Sequence, residues 1–290
     1  MLVNFWTYSC INSIRPLPWL RAWAEKYRDR GLVVVGVHTP EFGFEKDPAN
    51  VHQALKQLGV DWPVTLDSDY RVWRDFDNQA WPAFYLIDAE GRVRHRQLGE
   101  HDYAATEREI EALLSEADGK PVSGRVADVH GTGIEAAPDW TDQASPETYV
   151  GYAKAGAFAS PGGAARDRAK AYAPASDLAR NDWDLAGNWT IGEEFASSNA
   201  PDAALRYRFH ARDLHLVLGR GHGAPVRFRV TIDGAAPGAD HGVDTDANGW
   251  GEIREDRLYQ LVRQSGAVRD RTVEIRFLAP GARAYAFTFG

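Results

Sequence analysis

The chain is 290 residues long, 44% hydrophobic, and carries a formal net charge of −8. That length suits two domains better than one. Its ten tryptophans argue against a disordered chain, and its acidic balance disfavours nucleic acid, whose phosphates need a basic face.

The first part alternates strand-like and helix-like segments, as a layered α/β domain does. Residues 2–6, Leu-Val-Asn-Phe-Trp, read as a buried strand. They have neither the basic flank nor the long apolar stretch of a signal peptide. The chain opens inside this strand, so the natural N-terminus is expected further upstream. Residues 18–30 place Leu20, Trp23, Ala24 and Tyr27 at helical spacing, and Gly31 stops the pattern. The run 32–37 is rich in valine, the mark of a strand covered on both faces. A helix over 51–58, a short strand over 64–66 and a short helix over 70–76 follow. Residues 83–88 and 93–98 form an expected hairpin, and 106–117 a closing helix. No apolar run approaches the roughly 20 residues that span a bilayer.

From 118 to about 142 the pattern lapses into Gly, Pro, Asp and Ala, which reads as a linker or boundary loop. Beyond it the rhythm becomes all-β. Residues 205–210, 214–218, 226–230 and 273–277 alternate apolar and polar, with turns such as Asp233-Gly234 between them. Short alternating strands with Gly-rich turns argue a β-sandwich. The expected boundaries are 1–118 for an α/β domain, 119–145 for the linker and 146–290 for the sandwich.

Chemistry concentrates on Cys10, the single cysteine. One cysteine permits no intramolecular disulfide. Cys10 sits between a strand and a helix, where helix-opening N–H groups and the macrodipole stabilise a thiolate. Ser13, three residues on, can donate a hydroxyl hydrogen bond to the sulfur. A small buried hydrophobe is the competing reading of a lone cysteine.

The segment Phe5-Trp6 ahead of Cys10-Ile11-Asn12-Ser13 resembles the thioredoxin superfamily, most closely the DipZ-type and TlpA-like thiol–disulfide proteins. There the family carries Cys-x-x-Cys. Further matches are Pro18, Trp81-Pro82 ahead of residues 83–88, residues 36–42 and Phe44-Glu45-Lys46-Asp47. The resemblance covers residues 1–117 and implies a thioredoxin-like fold with Cys10 as the nucleophile. It also implies a cis-proline at Pro82, with Trp6, Trp81 and Pro82 meeting an extended substrate. Glu41 matches the place of an acid near the thiol and is a candidate proton acceptor. A solvated loop carboxylate is the alternative for Glu41, and His38 reads as a packing residue.

Ser13 departs from the family. In a dithiol enzyme the second cysteine resolves the mixed disulfide, and a serine cannot. Three readings stay open: a natural monothiol branch, an engineered Cys-to-Ser trap, or a domain turned from redox work to binding. The favoured function is thiol–disulfide exchange by a monothiol site, without a cofactor. Its partners would be protein or small thiols and disulfides. The alternatives are a non-catalytic binding module for protein or glycan, and a one-cysteine peroxidase. For the last, Thr7-Tyr8-Ser9-Cys10 supplies the Thr-x-x-Cys half of a peroxiredoxin signature, but Val3 stands where its proline belongs.

Residues 147–290 resemble the jelly-roll-like sandwich of DipZ-type proteins, which is similar to a carbohydrate-binding module. Trp183, Trp189, Trp250 and Tyr259 could stack on sugars, but core packing is the preferred reading. The resemblance also favours an extracytoplasmic location (periplasmic or cell-surface), with the cytoplasm as the alternative, and offers a membrane electron-delivery protein as a partner. Asp244, Asp246, Asn248 and Glu255 have calcium-loop spacing, yet a plain polar turn is the stronger expectation. The stretch Gly219-Arg220-Gly221-His222-Gly223 leads into no expected helix, so a phosphate cradle is not expected there.

Overall fold

Strand β1 (Leu2–Trp6) is buried along its whole length and forms the centre of a five-stranded sheet. It pairs in parallel with β2 (Val34–His38), which pairs in parallel with β3 (Val64–Leu66). On its other edge β1 runs antiparallel to β4 (Ala83–Ile87), which pairs with β5 (Val93–Leu98). The order is β3-β2-β1-β4-β5. Parallel neighbours need crossovers. These are supplied by α1 (Ile11–Ile14) with α2 (Leu17–Lys26), and by α3 (Pro48–Gln57). Helices α4 (Arg71–Asp75) and α5 (Tyr103–Asp118) complete the layer arrangement expected of a thioredoxin-like domain.

Alternation along β1 divides the core. Val3 and Phe5 face a cluster with Val37, Ala83 and Tyr85, while Trp6 faces Tyr8, Val51 and Ala54. Gly36 makes room for the Trp6 indole: a Cβ there would lie 3.0 Å from Trp6 Nε1 and from Val64 Cγ2. Helix α3 begins three residues before the expected 51, because Asp47 and Pro48 start it. The Asp47 side chain accepts from Ala49 N at 2.9 Å, and Pro48 has no N–H to leave unpaired.

The computed structural model describes residues 1–221 and 223–290; His222 of the glycine-rich stretch lies outside them. The chain divides into two units, Met1–Ala137 and Pro138–Gly290. Residues 119–137 pack with the first. The buried Glu107 accepts from Trp23 Nε1 (3.0 Å), Lys26 Nζ (2.6 Å) and Tyr27 Oη (2.8 Å), and also from Ala127 N at 2.8 Å.

Among the described residues the second unit is a curled, half-barrel arrangement of 11 strands, in keeping with the expected sandwich. In chain order they are β6 (Thr148–Tyr149), β7 (Ala169–Tyr172), β8 (Trp183–Ile191), β9 (Ala196–Ser198), β10 (Ala203–Phe209) and β11 (Asp213–Arg220). Then come β12 (Val226–Ile232), β13 (Trp250–Ile253), β14 (Arg257–Arg263), β15 (Arg271–Phe277) and β16 (Ala282–Phe289).

Strand β8 serves both halves of this arrangement. Residues 183–186 pair with β10, while residues 187–191 pair with β7 and β9. Gly187 stands at the change, with φ +87, and a Cβ there would lie 3.1 Å from Ala203 Cα. Glycine alone tolerates that conformation at so close an approach. One core fills the space between the halves and takes in Trp183, Trp189 and Tyr259. Those three rings therefore pack inside, whereas Trp250 is half-buried beside Arg227 and Arg229.

Candidate functional site

The site grows from the C-terminal end of β1. The backbone leaves the sheet at Trp6, and Thr39 N, just past β2, donates to Trp6 O at 3.1 Å. Cys10 then caps α1 with an extended backbone (φ −88, ψ 119), and its carbonyl accepts from Ser13 N (3.0 Å) and Ile14 N (3.1 Å). It is half-buried. The amides of Ile11 and Asn12 open this turn, and helix-opening amides have no carbonyl partner within the helix.

Ser13 is fully buried, and its Oγ accepts from Thr7 N at 3.4 Å. That leaves its own hydrogen to donate. Cys10 N donates back to Thr7 O at 3.4 Å. Thr7 thus touches both ends of the Cys10–Ser13 turn through its own backbone.

The Trp81–Pro82 peptide is cis. Trp81 is half-buried, its ring 4.4 Å from that of Trp73, and its indole N–H donates to Thr39 O at 3.0 Å. Pro82 is buried. Trp6 is placed differently from the substrate platform expected of it. It has no exposed area and packs edge-on against His38, with ring centres 5.5 Å apart. A substrate has nothing of Trp6 to touch.

His38 is buried and stacked on Tyr8, which suits the packing role expected of it. Burial lowers its pKa to about 4, so the imidazole is neutral at pH 7. Glu41 is half-buried on the segment after β2, and its backbone N–H donates to Glu45.

Glu45 is the residue that sequence reasoning quoted without a role. Its carboxylate is fully buried and accepts from Thr7 Oγ1 (2.5 Å), Ser9 Oγ (2.6 Å) and Ser9 N (3.3 Å). It also accepts from Phe42 N at 2.9 Å. Burial is the largest influence on it and outweighs these donors, raising its pKa to about 6. A local signal existed. A glutamate three residues after the start of a short turn reaches back to the backbone N–H at that start, as Glu45 does to Phe42. The bonds to Thr7 and Ser9, across 38 and 36 residues, had no local signal.

A second missed pair lies just after the site. Arg15 and Glu100 form a buried ion pair at 2.7 Å, and Arg15 also donates to Asn12 Oδ1 at 2.7 Å. Burial drives the Glu100 carboxyl up to about 7 despite Arg15.

In the second unit, the calcium-spaced carboxylates serve the turn itself. Asp244 accepts from Arg257 Nη2 (2.6 Å) and Gln260 N (2.8 Å), and Asp246 from Asn248 N and Trp250 N (both 2.9 Å). Asn248 is exposed and Glu255 half-buried. Among the described residues no three His, Cys, Asp or Glu side chains gather as a metal site would require. No helix among them is long and apolar enough to cross a membrane.

Residues 1–114 match the family described as Redoxin, and residues 145–290 the family described as Thioredoxin like C-terminal domain. Protein DipZ of Mycobacterium bovis is 37% identical over 299 residues, covering 100% of this chain and 39% of that protein. Thiol-disulfide oxidoreductase YkuV of Bacillus subtilis is 30% identical over 117 residues, 40% of this chain and 78% of that protein. Thiol-disulfide oxidoreductase ResA of the same organism is 29% identical over 93 residues, 32% of this chain and 49% of that protein. The chain spans about two fifths of the length of DipZ.

Proposed function

Since the chain belongs to the thiol–disulfide oxidoreductases of the thioredoxin superfamily, we propose that it exchanges disulfides through the one sulfur of Cys10. The observation that carries this reading is the pairing of a half-buried Cys10 at the opening of α1 with a buried Ser13 one turn on.

The Cys10 thiolate attacks one sulfur of a disulfide R–S–S–R′. A Cys10–S–S–R bond forms and the R′ thiolate leaves with the electron pair of the broken bond, taking a proton from solvent. Ser13 cannot displace R, so a second thiolate from outside the chain attacks the mixed disulfide and restores Cys10. The Ser13 hydroxyl donates to the Cys10 thiolate, and Glu41 accepts the thiol proton. The cis-proline loop, Trp81 and Pro82, pairs with an extended substrate segment. Protein or small thiols and disulfides are the partners. An extracytoplasmic setting and a membrane electron-delivery partner belong to the same reading and rest on the likeness to DipZ.

The peroxidase reading loses support from the engagement of Thr7. Its hydroxyl, which that chemistry needs for the peroxide, is buried and donates to Glu45. Glycan recognition likewise loses Trp183, Trp189 and Tyr259 as stacking surfaces, because all three lie in the core.

Glutathione disulfide provides the test. Intact mass of the treated protein should show one glutathione on the parent chain and none on Cys10→Ser. A parent that stays unmodified at neutral pH while folded would remove the nucleophilic role.

A further inference from the structure

Glu45 is a buried carboxylate with five donors and no ion pair to a Lys or Arg among the described residues. Oε1 accepts from Thr7 Oγ1, Ser9 Oγ and Ser9 N, and Oε2 from Phe42 N and Glu41 N. Taking a carboxylate out of water without a cation is costly even when hydrogen bonds surround it. The neighbouring ionisable groups do not offset the charge. His38, whose Nε2 lies 3.4 Å from Thr7 Oγ1, is kept neutral by burial, and Glu41 is itself acidic.

The places joined at that cost are specific. One oxygen holds the two residues that flank Tyr8 on the approach to Cys10. Thr7 in turn gives its N–H to Ser13 Oγ and takes the N–H of Cys10. The other oxygen holds the backbone of Glu41 and Phe42. A shift of Glu45 therefore moves the Cys10–Ser13 turn and the Glu41 segment together.

We propose that Glu45 is a positioning residue for disulfide exchange. Through Thr7 and Ser9 it fixes the turn that presents Cys10 beside Ser13, and through its second oxygen it fixes the segment that carries Glu41. The proposal rests on Cys10 being the exchanging thiol. Its physical basis is the steep dependence of rate on the alignment of reacting groups.

The experiment measures the alkylation rate of Cys10 by iodoacetamide against pH, on the full chain. It compares the parent with Glu45→Ala, Glu45→Gln and Ser9→Ala, and records thermal melts alongside. The expected plateau rate falls roughly tenfold in Glu45→Ala and roughly threefold in Ser9→Ala, with the inflection displaced. Glu45→Gln keeps one acceptor oxygen and should fall between parent and alanine. A purely structural role would lower the melting temperature and leave plateau and inflection at the parent values. That result in the folded variants overturns the proposal. If Glu45→Ala does not fold, Ser9→Ala decides alone, because it removes one donor and leaves Glu45 in place. A folded parent whose Cys10 resists alkylation throughout the pH range overturns the exchange reading, and this proposal with it. A reactive parent with unmoved variants overturns this proposal alone.

Discussion

The indole N–H of Trp81 donates to the backbone carbonyl of Thr39 at 3.0 Å, across 42 residues of sequence. Thr39 also gives its own N–H to the carbonyl of Trp6. The cis-proline loop, the end of β2 and the end of β1 are therefore joined through one residue, directly ahead of the segment that carries Cys10. Trp81→Phe keeps an aromatic ring to pack on Trp73 and loses the donor. It should cost about 1 kcal/mol, as expected for one net hydrogen bond. It should also slow mixed-disulfide formation with a protein disulfide more than with glutathione disulfide. Stopped-flow rates with both oxidants check this, and equal slowing would count against Trp81 as a substrate platform.

Ser13→Cys should turn the site into a dithiol. Positions three apart on a helical turn share a face with Cβ atoms about 5–6 Å apart. Adjustment at the helix opening can bring them to the roughly 3.5–4.5 Å of a disulfide. Cysteine is close to serine in size, so the buried position accepts it. After treatment with glutathione disulfide the variant should have lost two hydrogens and carry no adduct. Separate capping of both thiols would show that the two side chains do not face each other.

Glu100→Gln should leave the Arg15 guanidinium buried without its counter-charge. The loss at pH 7 should be small, on the order of 1 kcal/mol, because burial pushes the Glu100 carboxyl up to about 7 despite Arg15, so desolvation offsets much of what the ion pair contributes. Arg15→Met combined with Glu100→Gln should cost less than Glu100→Gln alone, since no buried charge is stranded. Urea unfolding midpoints give the comparison. A double variant as unstable as the sum of its singles would mean the pair is not coupled.

Stability should decline as pH rises from about 5 to 7. Burial lifts Glu45 to about 6 and Glu100 to about 7, above the ordinary 4.5. Groups shifted upward favour the folded state fully below the unfolded value, and that support is lost as pH passes through the folded one. His38 runs the other way. Its pKa is lowered from 6.5 to about 4, so its contribution is complete above 6.5 and is lost as pH falls through 4. Two carboxyls outweigh one imidazole in this window. Melting temperatures across it should fall with pH, and Glu100→Gln should flatten the slope. A melting temperature that climbs over the same range would contradict the assignment.

Calcium should leave the second unit unchanged. Both oxygens of Asp244 are held, by Arg257 and Gln260 N, and Asp246 holds its own turn. Isothermal titration of metal-stripped protein should show no saturable heat at micromolar calcium. Asp246→Ala should cost on the order of 1 kcal/mol with or without the ion. A saturable site lost in that variant would make the loop a cation site after all.

Much of the fold could be read along the chain. The valine run of β2 and the alternating strands expected over 205–210, 214–218, 226–230 and 273–277 are local patterns, and each came out within a few residues of its expected bounds, whereas α2 ends at Lys26 and a separate 3-10 turn over Arg28–Arg30 carries the chain to Gly31. The helix-opening place of Cys10 was legible for the same reason: a strand, a short turn and an amphipathic helix are neighbours in sequence. Where expectation and structure part, the cause is local too. Helix α3 starts early because the cap Asp47 and Pro48 precede its apolar face.

Contacts between distant segments were not legible. Trp6 looks, in sequence, like an aromatic beside an active cysteine, and only the packing of Val51, Ala54 and His38 around it makes it core. Glu41 and Glu45 are both acids on the segment after β2. Which of them reaches the hydroxyls of Thr7 and Ser9 depends on how that segment folds back over the end of β1. Periodicity reports which face of an element is apolar, because that preference is repeated along the element. A buried carboxylate meets its partners once, across 36 to 38 residues, and such a single encounter is decided by the three-dimensional path of the chain.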